Sequence, residues 1–337
     1  MNRRTMRWAV VLLFVAFAAG CTLLREIAAP PSPYVSEEWQ ALLDEIRAYE
    51  RRIGFDDTEN FADLAAEHEA FVFCGHASPL VLPYSYEDPA ITWSEAQTEE
   101  ECRAAARGAD TYYGAVEAWG EIGTPVTPSM ITSQLDRFIY LVIHEDCHDQ
   151  FELPYGIEEA LCDLITYKGM EVFAREKFGT QANEYRAILR YADAQSRITR
   201  ATIAYYSQLE ALYARYGRRE ISPDVLLRER AVIFRNAAKP LAWTKGDLNN
   251  IGIANDMTYS RHYPLMENVF DALGRDVART VAFFRQVDGL KPEPEAFMKQ
   301  HRLKRGSVEF IRAYETAVAE TIRQALADTL AGNRAAR

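Results

Sequence analysis

The chain of 337 residues has only six histidines and five cysteines, so a site built on either residue type draws on few positions. Basic residues are also outnumbered. Thirty-eight Lys and Arg face 49 Asp and Glu, for a formal charge of −11. That balance argues against a nucleic-acid partner and against docking of the folded body on anionic lipid. Internal repeats and low-complexity tracts are missing, which excludes solenoid and compositionally biased architectures. Beyond one N-terminal run, no apolar stretch approaches the ~20 residues that span a bilayer.

What is present has an ordinary globular balance, 48% hydrophobic and 26% charged, with enough aromatic residues to fill a sizeable core. The N-terminus stands apart. Arg3, Arg4 and Arg7 flank the start of an apolar run from Trp8 to Phe17, and Ala18-Ala19-Gly20-Cys21 follows. This order is similar to a bacterial lipobox, with cleavage before Cys21 and lipid attached to it. An ordinary signal peptide ending near a cysteine is the alternative. Acyl chains on Cys21 would hold the protein at a membrane surface. The expected location is the cell envelope, facing the periplasm. The outer membrane is preferred, because Thr22 is not the aspartate that often retains lipoproteins inside.

After a tether at 21–36, marked by Pro30, Pro31 and Pro33, the apolar spacing of Trp39, Leu42, Leu43, Ile46, Tyr49 and Ile53 predicts a helix ending at Gly54. Residues 70–73, 80–82 and 111–116 read as short strands, and 99–107 as a helix. Leu135, Phe138, Ile139, Val142 and Ile143 recur at helical spacing, predicting a helix through residue 148. Pro154-Tyr155-Gly156 breaks the chain, and further helices are expected at 157–178, 183–216, 224–236, 264–287 and 307–331. The fold class is α+β, mostly α.

The sharpest feature is His144-Glu145-Asp146-Cys147-His148. A spacing of four is just over one helical turn, so both imidazoles leave one face and can bind one zinc at about 2.0–2.1 Å. Glu145 sits beside them, placed to act as general base on a metal-bound water. Zinc needs a third protein ligand, and the next helix offers Glu159, with Glu158 as its rival. Asp163, one turn beyond Glu159, can hydrogen-bond a histidine and set its tautomer. Cys147 and Cys162 neighbour these positions. A Cys147–Cys162 disulfide would staple the two metal-bearing helices and leave Cys74 with Cys102; buried free thiols are the alternative. An oxyanion needs a donor besides the metal. Tyr259 is the candidate, within a polar cluster with Arg261, His262 and Tyr263 on an expected loop.

These residues resemble a known family: predicted aminopeptidases found as bacterial lipoproteins, related to the gluzincin metallopeptidases. The resemblance extends over Glu45-Ile46-Arg47, Tyr112 to Gly123, His144 to His148, Glu159-Ala160-Leu161, Leu212-Tyr213-Ala214, and Leu248-Asn249-Asn250 leading to Thr258-Tyr259. It implies a zincin-like core with a small N-terminal sheet over 37–190, and a helical C-terminal part over 191–337. It also implies zinc on His144, His148 and Glu159, Glu145 as the catalytic glutamate, and a peptide substrate. Gly114-Ala115-Val116-Glu117 is similar to the strand with which gluzincin aminopeptidases hold substrate, which would give Glu117 the free α-amine. The chain departs from the family where Asp146 and Cys147 replace small or apolar residues, and where Glu158 replaces an asparagine. A non-catalytic zinc-binding envelope lipoprotein is the competing reading. Hydrolysis of a non-peptide amide would use the same residues.

Overall fold

The computed structural model describes residues 33–35, 38–65, 71–96, 98–116, 118, 123–244 and 247–335. Residues 1–20, Cys21, most of the tether and Glu117 lie outside them. The fold is mostly helical, with one small antiparallel sheet towards the N-terminus.

Helix α1 (Trp39–Ile53) buries Leu42, Leu43, Ile46, Tyr49 and Ile53, and Gly54 ends it in a left-handed conformation at φ 99°. Strand β1 (Phe71–Ala77) is central in the sheet, flanked by β2 (Thr92–Ser94) and β3 (Asp110–Val116) in the order β2-β1-β3. The register sets Cys74 opposite Ser94 on one side and Tyr113 on the other. Between β2 and β3, α2 (Glu99–Ala105) is capped by Thr98. A disulfide joins its Cys102 to Cys74 of β1.

Residues 80–82 are not a strand. The carbonyl of Pro79 accepts from the Tyr213 hydroxyl at 2.7 Å, and that of Val81 from Asn250 Nδ2 at 2.7 Å. Side chains satisfy this backbone where a ladder would have done so.

A short helix, α3 (Pro128–Ile131), leads into α4 (Leu135–His148), α5 (Tyr155–Phe178) and α6 (Asn183–Gly217). Pro154 caps α5, so Tyr155 and Gly156 belong to its first turn. Proline suits such a boundary because it has no N–H to lose. Helix α5 is the hub of the core: Ile157, Leu161, Leu164, Ile165, Met170 and Phe173 are all buried. It packs against α4 and α6, and against several of the helices that follow. Residue 190 falls within α6.

Helices α7 (Pro223–Ala238), α8 (Asn250–Ser260), α9 (Tyr263–Ala272), α10 (Val277–Leu290), α11 (Pro294–His301) and α12 (Val308–Ala335) complete the body. The expected helix at 264–287 is two. Gly274 and Arg275 adopt φ 84° and 59°, and Asp276 then caps α10 by accepting from the Arg279 N–H. The expected loop before Pro264 is instead the end of α8 and a two-residue turn. No described helix is long and apolar enough to cross a membrane.

Candidate metal and catalytic site

Helix α4 turns Phe138, Ile139, Val142 and Ile143 into the core and presents His144 and His148 to α5, with Glu145 buried beside them. Six residues later α5 starts, and Glu159 lies in its second turn. Cys147 of α4 is bonded to Cys162 of α5, with their Cα atoms 5.6 Å apart, so the two helices are joined within the site.

Three atoms converge. His144 Nε2 lies 3.3 Å from His148 Nε2 and 3.2 Å from Glu159 Oε2; His148 Nε2 lies 3.5 Å from Glu159 Oε2. Glu159 Oε2 is buried and has no hydrogen-bond partner among the described residues. This group could hold a metal ion. Burial works against a charge on Glu159, yet the two imidazoles hold its carboxyl far below the usual carboxylate range.

Glu158 does not join the three. Its Oε1 accepts from His148 Nδ1 at 2.9 Å, and its Oε2 accepts from the Leu153 N–H at 3.0 Å. A proton on Nδ1 leaves the Nε2 lone pair free to ligate. Asp163 lies 3.5 Å from His144 Nδ1, beyond a hydrogen bond, and accepts from the Tyr140 hydroxyl at 2.9 Å. Burial pushes the Asp163 carboxyl up to about 6. The Tyr140 ring also stacks on His144, with centroids 5.0 Å apart. Sequence reasoning missed this tyrosine, though it stands one helical turn before His144 on the same face.

Tyr259 reaches the site from α8. Its ring centroid is 6.4 Å from that of His144. Its hydroxyl is pushed up by burial and by the charges of Glu159, Asp163 and Glu145. Asn249 positions this helix. Its side chain caps the α8 N–H groups of Ile251 and Gly252, and its amide donates to the Thr111 carbonyl of β3 at 2.7 Å. Tyr155, at the start of α5, is raised by burial and then by Glu159, and lines the same site. The sequence offered no signal for it beyond its place in the break.

The other members of the predicted polar cluster point elsewhere. Arg261 stacks 3.7 Å above the Tyr84 ring and donates to the Tyr84 carbonyl. His262 pairs with Glu315 at 2.9 Å, and Tyr263 is buried against Ser196.

A sequence model of the family described as "Putative aminopeptidase" matches residues 93–302, a span containing β3, α4, α5 and α8. The chain belongs to this aminopeptidase family. No curated protein and no solved structure matches it. Membership implies a peptide substrate, and the His-His-Glu group lies inside the matched span.

Proposed function

We propose that the chain is a zinc-dependent aminopeptidase with a zincin-like core, its metal held by His144, His148 and Glu159. The triangle of ligand atoms carries the reading. Tetrahedral bonds of about 2.0–2.1 Å set ligand atoms roughly 3.3–3.4 Å apart. The three separations here are 3.2, 3.3 and 3.5 Å. Two imidazoles and one carboxylate also form a donor set that zinc takes in hydrolytic enzymes.

Zinc held by His144, His148 and Glu159 would supply Lewis acidity towards a water and the scissile carbonyl. Glu145, one residue on from His144, accepts the water proton and passes it to the leaving amine. Tyr259 keeps its proton in this buried setting and donates to the carbonyl oxygen as negative charge develops. Tyr140, hydrogen-bonded to Asp163, stacks on the His144 ring, and Glu158 holds that of His148. Glu117 follows β3 in the chain and is the acid we assign to the substrate α-amine. Two disulfides support a setting where thiols are oxidised, in keeping with the envelope lipoprotein anchored at Cys21 that the N-terminal pattern suggests.

The test pairs metal content with cleavage. The purified chain should carry one zinc and release the N-terminal residue of an unblocked peptide, and a chelator should stop it. Glu145→Gln should keep the zinc and lose turnover by about 10²–10⁴-fold. A zinc-loaded chain inert towards free and N-blocked peptides alike would favour the non-catalytic lipoprotein.

A further inference from the structure

The first turn of α5 faces two ways. Tyr155 stands one helical turn, about 6 Å along the axis, before the ligand Glu159 on the same face, so it borders the zinc triangle. It also lines a cavity of about 260 Å³ whose other residues take no part in the chemistry above. The Tyr86 ring, 6.2 Å from that of Tyr155, packs on Trp93 of β2 and ties this edge of the cavity to the sheet.

The walls are mostly apolar. Pro154 and Tyr155 come from the start of α5, Met298 from α11, and Phe310, Ile311 and Tyr314 from α12. A spacing of four puts Phe310 beside Tyr314 on α12, with ring centroids 5.4 Å apart. The α12 residues lie beyond residue 302, where the family match ends, so this wall has to be read from the chain itself. The volume suits one side chain, since whole small-molecule sites run from about 300 to 1,000 Å³.

Three charged residues also line the cavity. Glu87 and Arg305 are exposed. Glu315 is 1% exposed, and its Oε2 accepts from the Tyr84 hydroxyl at 2.7 Å and from His262 Nε2 at 2.9 Å. Its Oε1 has no hydrogen-bond partner among the described residues. That oxygen lies against Gly156, where a Cβ would come within 2.5 Å of it, and the positive end of the α5 dipole suits a carboxylate there. Arg261 and Arg312 stand over the Tyr84 ring at 3.7 and 4.5 Å. A cationic side chain entering the cavity would therefore meet two guanidinium groups close to the one buried acid.

We propose that this cavity is the specificity pocket of the zinc site and takes a large apolar side chain, such as leucine or phenylalanine, from a residue adjoining the scissile bond. The inference rests on the peptidase reading above and adds the class of substrate to it.

The test uses unblocked tripeptides with leucine, phenylalanine, alanine or lysine in the first or second position and glycine elsewhere. Calorimetry on the zinc-loaded Glu145→Gln chain reads binding, and kcat/KM of the parent chain reads cleavage. At one of the two positions, leucine should be preferred over alanine at least about tenfold in both. Met298 is half-buried, so it can be changed with little risk to the core. Met298→Trp, which fills the cavity, should erase the preference; Met298→Ala, which enlarges it, should shift it from leucine to phenylalanine. Zinc content and Tm check that both variants are folded. Equal or undetectable binding of leucine and alanine peptides at both positions would overturn the proposal, as would a preference that survives both variants. Preference for lysine would overturn it too, giving the pocket to a cation held by Glu315. A chain that binds with the apolar preference but cleaves nothing keeps the pocket and defeats the peptidase reading; one that cleaves every peptide alike does the reverse.

Discussion

Replacing Cys147 and Cys162 together by alanine separates two things the disulfide does: it limits the unfolded chain, and it ties the helix bearing both histidines to the helix bearing Glu159. The separation of 15 residues predicts a stability loss of about 3 kcal/mol from loop closure alone. The second disulfide supplies the control. Cys74 and Cys102 are 28 residues apart, and the same relation gives about 3.6 kcal/mol. All four cysteines are fully buried, so the packing lost is similar in each double variant. Thermal or denaturant unfolding should therefore show comparable losses, several degrees in Tm for each pair. Zinc affinity should differ. Without the Cys147–Cys162 bond, Glu159 is held at the histidines by packing and by the His148–Glu158 and Tyr140–Asp163 hydrogen bonds between the two helices, and affinity measured against a chromophoric chelator should fall on the order of tenfold, about 1.4 kcal/mol. The Cys74→Ala/Cys102→Ala chain should bind zinc as the parent does. Equal zinc affinity in both double variants would refute the view that this bond serves the metal site.

Three further outcomes are expected. Glu158→Gln should keep zinc binding but weaken it about 10–100-fold, because one of the bonds orienting His148 is lost, whereas Glu159→Gln should abolish it; equilibrium dialysis reads both. Tyr259→Phe should lower kcat by about 10²–10³-fold with little change in KM, if the hydroxyl acts only on the developing oxyanion; steady-state kinetics on a free-amine peptide decide this. Glu50 gives a pH effect on stability. Burial, then the neighbouring Asp146, hold its carboxyl well above the usual range in the folded chain, while the unfolded chain releases that proton near 4.5. Between those two values the folded state holds the extra proton, so stability falls as pH rises. Glu50→Gln should flatten that slope, adding stability at pH 8 of about 1.4 kcal/mol for each tenfold difference between the two ionisation constants.

The motif was legible because its geometry is local. His144 and His148 share a face through the 3.6-residue turn, and the apolar spacing of residues 135–143 identified the helix carrying them. The end of α1 followed from Gly54 for an equally local reason, and the break at Pro154 marked the start of α5, which comes two residues earlier than expected. The helix break at 273–276 escaped because apolar spacing runs across it, and residues 80–82 misled because a short apolar run is strand-like until its carbonyls find other donors.

By itself, the sequence determined the two-histidine face, the glutamate beside it and an acidic, mostly helical chain with a small sheet, all properties of neighbours along the chain. Only the tertiary structure decided between Glu158 and Glu159. These adjacent acids differ by about 100° around α5, and which one meets Nε2 depends on how α5 is rotated against α4. The approach of Tyr259 from α8, the bond between Cys147 and Cys162, and the meeting of Asp146 with Glu50 across α1 were likewise tertiary outcomes. Each needs the packing of elements far apart in sequence, and no local periodicity encodes the angle at which two helices meet.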